Sequence, residues 1–157
     1  MLAQIIYSHQ VVANKFNQSS PEPSSGILQS QKSLSKKFMI VTADKRASLA
    51  AREVLLYGGN ALDAAIAAQN VLSVVEPQSS GLGGGGFLLF FNNNDKKIYA
   101  YDGRETSSSL VKDDMYLINN KKMQFIEAVQ KPFSVGVPGL YSMLADAHNK
   151  FGVLEWE

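Results

Sequence analysis

The chain has 157 residues, 45% apolar, 18% charged and 10% aromatic, with a formal net charge of +1. That length fits one ordinary domain, and the apolar content excludes a wholly disordered chain. A balance of 15 Lys and Arg against 14 Asp and Glu gives no electrostatic ground for nucleic acid or an anionic membrane as partner. The absence of cysteine excludes disulfides, thiolate metal sites and a cysteine nucleophile, but does not assign a compartment. Two histidines, His9 and His148, cannot by themselves build a histidine-rich metal site.

No stretch reads as a membrane span, because the longest weakly polar run, residues 61–75, is shorter than the roughly 18 residues a spanning helix needs. Residues 1–13 are partly apolar, yet Gln4, Ser8, His9 and Gln10 interrupt them and no Lys or Arg precedes Lys15. A signal peptide wants a basic start and an unbroken apolar stretch, so this head is a poor one. Residues 17–37 are rich in serine, with Pro21, Pro23 and Gly26, and carry too few aliphatics to offset the entropy of ordering. The sequence therefore divides into a disordered head and linker, residues 1–37, and a folded part, residues 38–157.

Phe38-Met39-Ile40-Val41 suits a short buried strand. Asp44 is placed to cap a helix in which Ala47, Ala50, Ala51, Val54 and Leu55 share one face, and Gly58-Gly59 stops it. Asn60 caps the next helix at once, with Asp63 three residues on, where a carboxylate meets free amides and the positive end of the dipole. Residues 64–75 carry no charge, so this helix expects to be covered inside a larger body, and Glu76-Pro77 ends it. After the run Gly81-Leu82-Gly83-Gly84-Gly85-Gly86, residues 87–101 read as a hairpin turning through Asn92 to Asp95. Residues 106–131 are polar, with a helical turn near 113–117. Residues 134–139 look like a strand entering a tight turn. A final helix over 140–150 puts Leu140, Leu144, Ala147 and Phe151 on one face.

The glycine run contains the pattern G-x-G-x-x-G from Gly81 to Gly86, but it follows a helix and opens a strand, the reverse of a dinucleotide fingerprint. Its glycines are suited to positive φ and close backbone approach. Arg104, just after a strand and beside Gly103, is the more pointed residue. Its planar fork of donors matches a carboxylate, although an ordinary ion pair with Asp102 or Glu105 would explain it equally well. No hydrolytic machinery is visible: His148 falls on an expected surface helix, His9 in the head, and Asp113-Asp114 suit a solvated helix start. Thr106 and Ser79-Ser80 have hydroxyls without an identifiable activator, and Lys36-Lys37 and Lys121-Lys122 read as solvated faces.

Four segments in register carry a further signal: Gly58-Gly59-Asn60-Ala61-Leu62-Asp63-Ala64-Ala65, Glu76-Pro77-Gln78-Ser79-Ser80 with the glycines through Phe87, Asp102-Gly103-Arg104-Glu105-Thr106, and Ser134-Val135-Gly136-Val137-Pro138-Gly139. This series strongly resembles the gamma-glutamyltranspeptidase family, also called glutathione hydrolases, over about residues 38–157, the opening portion of that family's large subunit. The resemblance implies an α/β (α+β) fold, here part of the αββα sandwich of N-terminal-nucleophile hydrolases. It also implies a precursor that cleaves itself, so that a threonine becomes the first residue of a small subunit and attacks the γ-glutamyl carbonyl, with its own amino group as base. Glutathione-like γ-glutamyl amides would be the substrates, with water or an amino acid as acceptor. Arg104 matches the family arginine that holds the substrate α-carboxylate, and no metal or organic cofactor is implied.

Ser107-Ser108 stands where the family commonly has Ala-Pro, and residues 1–157 reach no processing threonine. The sequence thus suggests an N-terminal fragment, catalytic residues none, that needs the C-terminal catalytic segment or small subunit as partner. The alternative is a non-catalytic remnant or binding module from a split gene. The resemblance also implies a periplasmic or secreted location.

Overall fold

The structure is a computed structural model that describes residues 32–156, and its elements all lie within the unit Leu34–Glu157. Most of the expected head, residues 1–31, falls outside the described residues, whereas residues 32–37 are exposed and carry neither helix nor strand. The regular elements are α1 (Lys45–Leu56), α2 (Ala61–Val75), α3 (Pro77–Ser80), β1 (Phe87–Asn92), β2 (Lys97–Asp102), β3 (Leu117–Ile118), β4 (Lys121–Lys122), α4 (Phe125–Val129) and α5 (Leu140–Phe151). A 3-10 turn, Pro132–Ser134, precedes α5.

Capping sets the first helices as the sequence suggests. The Asp44 carboxylate accepts the Arg46 amide at 2.7 Å and grips its guanidinium at 2.8 Å, which pulls the Asp44 pKa from its ordinary 3.8 down to about 2. Gly58 closes α1 with φ 104°, a left-handed conformation that a Cβ would strain. Asn60 and Asp63 then form a reciprocal capping box at the start of α2. Ala47 and Ala51 of α1 meet Ala64 and Ala68 of α2, all buried. Their small side chains let the two backbones approach closely, and Ile40, Val54, Leu55, Val71 and Leu72 pack around that seam.

The opposite side of α2 faces α5. Leu62 and Ile66 join Leu140, Met143, Leu144 and Ala147 in the main core, and Leu88, Phe90 and Tyr101 of the β1–β2 hairpin lie against it. The hairpin register pairs Leu88 with Tyr101 and Phe90 with Tyr99, so one face of the ribbon turns inward. Phe151 receives the rings of Phe90 at 5.0 Å and Tyr99 at 4.5 Å, which fastens the end of α5 to the ribbon.

Several local expectations change. Residues 38–41 form no strand, because no partner strand is available to them among the described residues. Ile40 packs on the alanine seam instead, while Val41 is 86% exposed. Gly83 to Gly86 adopt no positive φ; the run serves for close approach. Proline at the first turn starts α3 where α2 stops. Residues 113–116 make a turn that leads into β3, and Asn119 and Asn120, at φ 51° and 61°, close the β3–β4 hairpin. The strand expected over 134–139 shrinks to a bridge between Val137 and Thr106. The first half of α2 is covered by α1 on one side and α5 on the other, whereas Val74 near its C-terminal end is 79% exposed.

His148 is not on an open surface. Its side chain is 11% exposed, its Nε2 stands 3.3 Å from Asp63 Oδ1, and its ring meets Trp156 edge-on at 5.0 Å. Asp63 also accepts the Asn60 amide at 2.8 Å and the Val153 amide at 3.2 Å, while Asn60 Nδ2 donates to Phe151 O at 2.6 Å. Replacing Asp63 with Ala should leave the Asn60 and Val153 backbone amides without this acceptor, and hydrogen exchange at both should quicken by about tenfold or more. Unchanged protection would show that the carboxylate does not hold the junction. A second expectation concerns acid. Because the folded-state pKa of Asp44 is depressed, its cap contribution is complete above its ordinary 3.8 and disappears as pH falls through about 2. A carbon-13 titration should place the Asp44 midpoint near 2; a midpoint near 4 would dissolve the cap's charge-assisted character.

Candidate functional site

Arg104 stands just past the end of β2, on a strap held from both sides. The β1–β2 ladder continues into the glycine run, where Gly103 N donates to Gly86 O at 2.9 Å and Gly86 N to Gly103 O at 3.2 Å. Three residues past Gly103, Thr106 and Val137 exchange backbone hydrogen bonds of 3.1 and 2.8 Å. Leu140 N donates to Gly84 O at 3.3 Å, which ties the start of α5 to the same glycines. Arg104 and Glu105 therefore sit between two paired backbones, fixed by main-chain bonds rather than by a mobile loop.

The strap borders an open groove of about 480 Å³ lined by Tyr101, Asp102, Arg104, Pro138, Ser142 and Asp146 among others. The Arg104 side chain is 61% exposed, with Nη1 3.5 Å from Glu105 Oε2. The two carboxylates within two residues of it in sequence thus divide the work: Asp102 Oδ1 accepts the Arg104 backbone amide at 2.9 Å, and Glu105 faces the guanidinium. An ion pair this open contributes little to stability, and it leaves most of the guanidinium donors available to a ligand carboxylate. Burial, and then the Asp146 carboxylate, raise the Tyr101 phenol above its ordinary pKa, so it stays a neutral donor beside the groove. The groove thus sets one exposed guanidinium beside the Asp102 and Asp146 carboxylates.

The remaining candidates take structural places. Thr106 forms the bridge to Val137, and Ser80 O accepts from Gln69 Nε2 at 3.0 Å and Ser73 Oγ at 2.9 Å, closing α3 onto α2. Asp113 and Asp114 lie exposed on the turn before β3, and Lys36, Lys37, Lys121 and Lys122 are exposed. His9 lies outside the described residues. Among the described residues no group of three or more His, Asp or Glu could hold a metal ion, and no helix is long and apolar enough to cross a membrane. Sequence reading missed the Asp63–His148 contact. A capping carboxylate at a helix start was legible, but its burial and its distant partner were not.

A family model described as Gamma-glutamyltranspeptidase matches residues 47–157. The glutathione hydrolase proenzyme of Bacillus subtilis (strain 168) is 39% identical over 123 residues, covering 78% of this chain and 21% of that protein. Among solved structures, the gamma-glutamyltranspeptidase of Pseudomonas nitroreducens in complex with L-DON aligns with a TM-score of 0.69 at 34% identity, over 74% of this chain and 34% of that one. The Helicobacter pylori enzyme aligns with a TM-score of 0.73 at 28% identity, over 80% of this chain and 36% of that one. The described helices and antiparallel ribbons thus form part of the gamma-glutamyltranspeptidase, N-terminal-nucleophile hydrolase fold, and the chain spans about a fifth of the length of the curated relatives it matches. With motifs, family match and fold in agreement, the chain belongs to the gamma-glutamyltranspeptidase family.

Proposed function

We propose that this chain supplies the carboxylate-holding arm of a γ-glutamyl hydrolase or transferase site, with Arg104 clamping the α-carboxylate of a γ-glutamyl substrate. The carrying observation is the placement of Arg104: an exposed guanidinium on a strap fixed between two backbone ladders, at the lip of a groove. A fork of donors held in that way suits a planar carboxylate and costs little ordering of the backbone on binding. The family name and the four matched motifs support the γ-glutamyl part of the reading.

Acting alone, the 157-residue chain binds without turning substrate over. Acyl transfer needs an activated nucleophile and donors for the developing oxyanion, and these supply most of the rate. The stretch matched here is a fifth of the relatives' length, and a guanidinium supplies neither the nucleophile nor its base. The remaining catalytic segment, carried on the same polypeptide or on a separate subunit, completes the site.

Incubated with a γ-glutamyl anilide, the purified chain should release no aniline above the rate of its Arg104→Ala variant; Arg104-dependent turnover would defeat the claim of inactivity. In a titration followed by nitrogen-15 NMR, L-glutamate should shift the amides of residues 102–106, and Arg104→Ala should weaken that binding by about tenfold or more. Equal affinity in the variant would remove Arg104 from the site and leave the chain a module of some other kind.

A further inference from the structure

The neighbour of Arg104 is held more tightly than Arg104 itself. A Cβ at Gly85 would stand 2.6 Å from Glu105 Oε2 and 2.7 Å from the Glu105 backbone nitrogen. On the other side, a Cβ at Gly136 would stand 2.7 Å from Glu105 Cβ. Real side chains do not approach so closely, so Glu105 occupies a cradle that exists because both walls are glycine. Within that cradle Oε2 is buried and accepts no hydrogen bond, and the guanidinium of Arg104, 3.5 Å away, is the cation paired with it.

A buried carboxylate oxygen without a donor is costly, and a nearby cation is what offsets that cost. The attraction acts equally on both partners. Glu105, 30% exposed, has less room to move, because Gly85 and Gly136 flank it closely and the Gly103–Gly86 and Thr106–Val137 ladders fix its backbone. Arg104, with a long and mostly exposed side chain, is the partner free to adjust. One edge of the guanidinium drawn toward Glu105 leaves its other donors pointed away, with less rotamer freedom to lose when a ligand carboxylate arrives.

We propose that Glu105, seated in the cradle closed by Gly85 and Gly136, is a positioning residue for the Arg104 guanidinium. The proposal rests on the reading of Arg104 as the carboxylate clamp for its functional consequence, but not for its physical content. A role of filling space alone would be kept by glutamine, which has the shape of glutamate and lacks its charge.

The test uses the full chain labelled with nitrogen-15, comparing wild type with Glu105→Gln. Relaxation of the Arg104 Nε–H group reports side-chain restraint without any ligand, and Arg52, paired with Glu53, serves as the internal reference. The expected result is that Arg104 Nε becomes more mobile in Glu105→Gln while Arg52 does not change. L-Glutamate should then bind about threefold more weakly to the variant. Gly85→Ala should reproduce both effects; if that variant does not fold, Glu105→Gln alone decides the question. Equal Arg104 mobility in wild type and Glu105→Gln overturns the proposal, as does equal L-glutamate affinity. If mobility rises but neither protein binds L-glutamate, Glu105 is upheld as the positioning residue and the clamp reading of Arg104 fails.

Discussion

The Asp63 carboxylate joins the two ends of the molecule's helical layer. It begins as a local device, accepting the Asn60 amide as half of a capping box at the start of α2. From the same buried position it accepts the Val153 amide and faces the His148 imidazole, both ninety or so positions away at the end of α5. Asn60 reinforces the junction by donating to Phe151 O. A carboxylate can be buried when donors and the positive end of a helix dipole surround it, and here those donors come from both helices. The start of α2 and the end of α5 are therefore held together by the Asp63 carboxylate and the Asn60 side chain.

With that junction made, the rest of the core follows. Leu62 and Ile66 are aligned with Leu140, Met143 and Leu144, and the inward face of the hairpin closes on them through Leu88, Phe90 and Tyr101. Phe151, next to the polar junction, takes the rings of Phe90 and Tyr99. The opposite end of α5 is where Leu140 N meets Gly84 O, so the helix spans from the polar junction to the glycine run. Arg104 and Glu105 are presented between the glycines and Val137 because the hairpin and α5 are both seated on α2. The groove is open, while the backbone that borders it is fixed at each side.

Only part of a larger body is present in this stretch. Phe87, Leu89 and Ile98 on the outward face of the ribbon are 70%, 74% and 70% exposed. The inward and outward faces of the ribbon are comparably apolar, a pattern characteristic of a strand buried on both sides. That agrees with a chain spanning a fifth of its relatives' length.

Features within a few residues of one another were legible in the order of amino acids. The Asp44 and Asn60 caps, the stop at Gly58-Gly59, the alanine face of α1, the apolar face of α5 and the β1–β2 hairpin all follow from side-chain chemistry acting over one or two turns or across a tight turn. The motif series carried the family, and with it Arg104 as a candidate. Asn119-Asn120 between two short apolar and basic pairs was a hairpin signal that could also have been read. What the tertiary structure alone decided are the matters that depend on segments distant in sequence. Residues 38–41 have strand chemistry but no strand beside them among the described residues, and a β-ladder needs a partner to satisfy its backbone. His148 shares a helix with exposed neighbours, and only the fold brings Asp63 to it. Glu105 was one of two partners available to Arg104 by spacing; Gly85 and Gly136, about twenty positions before it and thirty after, decide which carboxylate the guanidinium meets, because close packing of distant backbones leaves room for one arrangement.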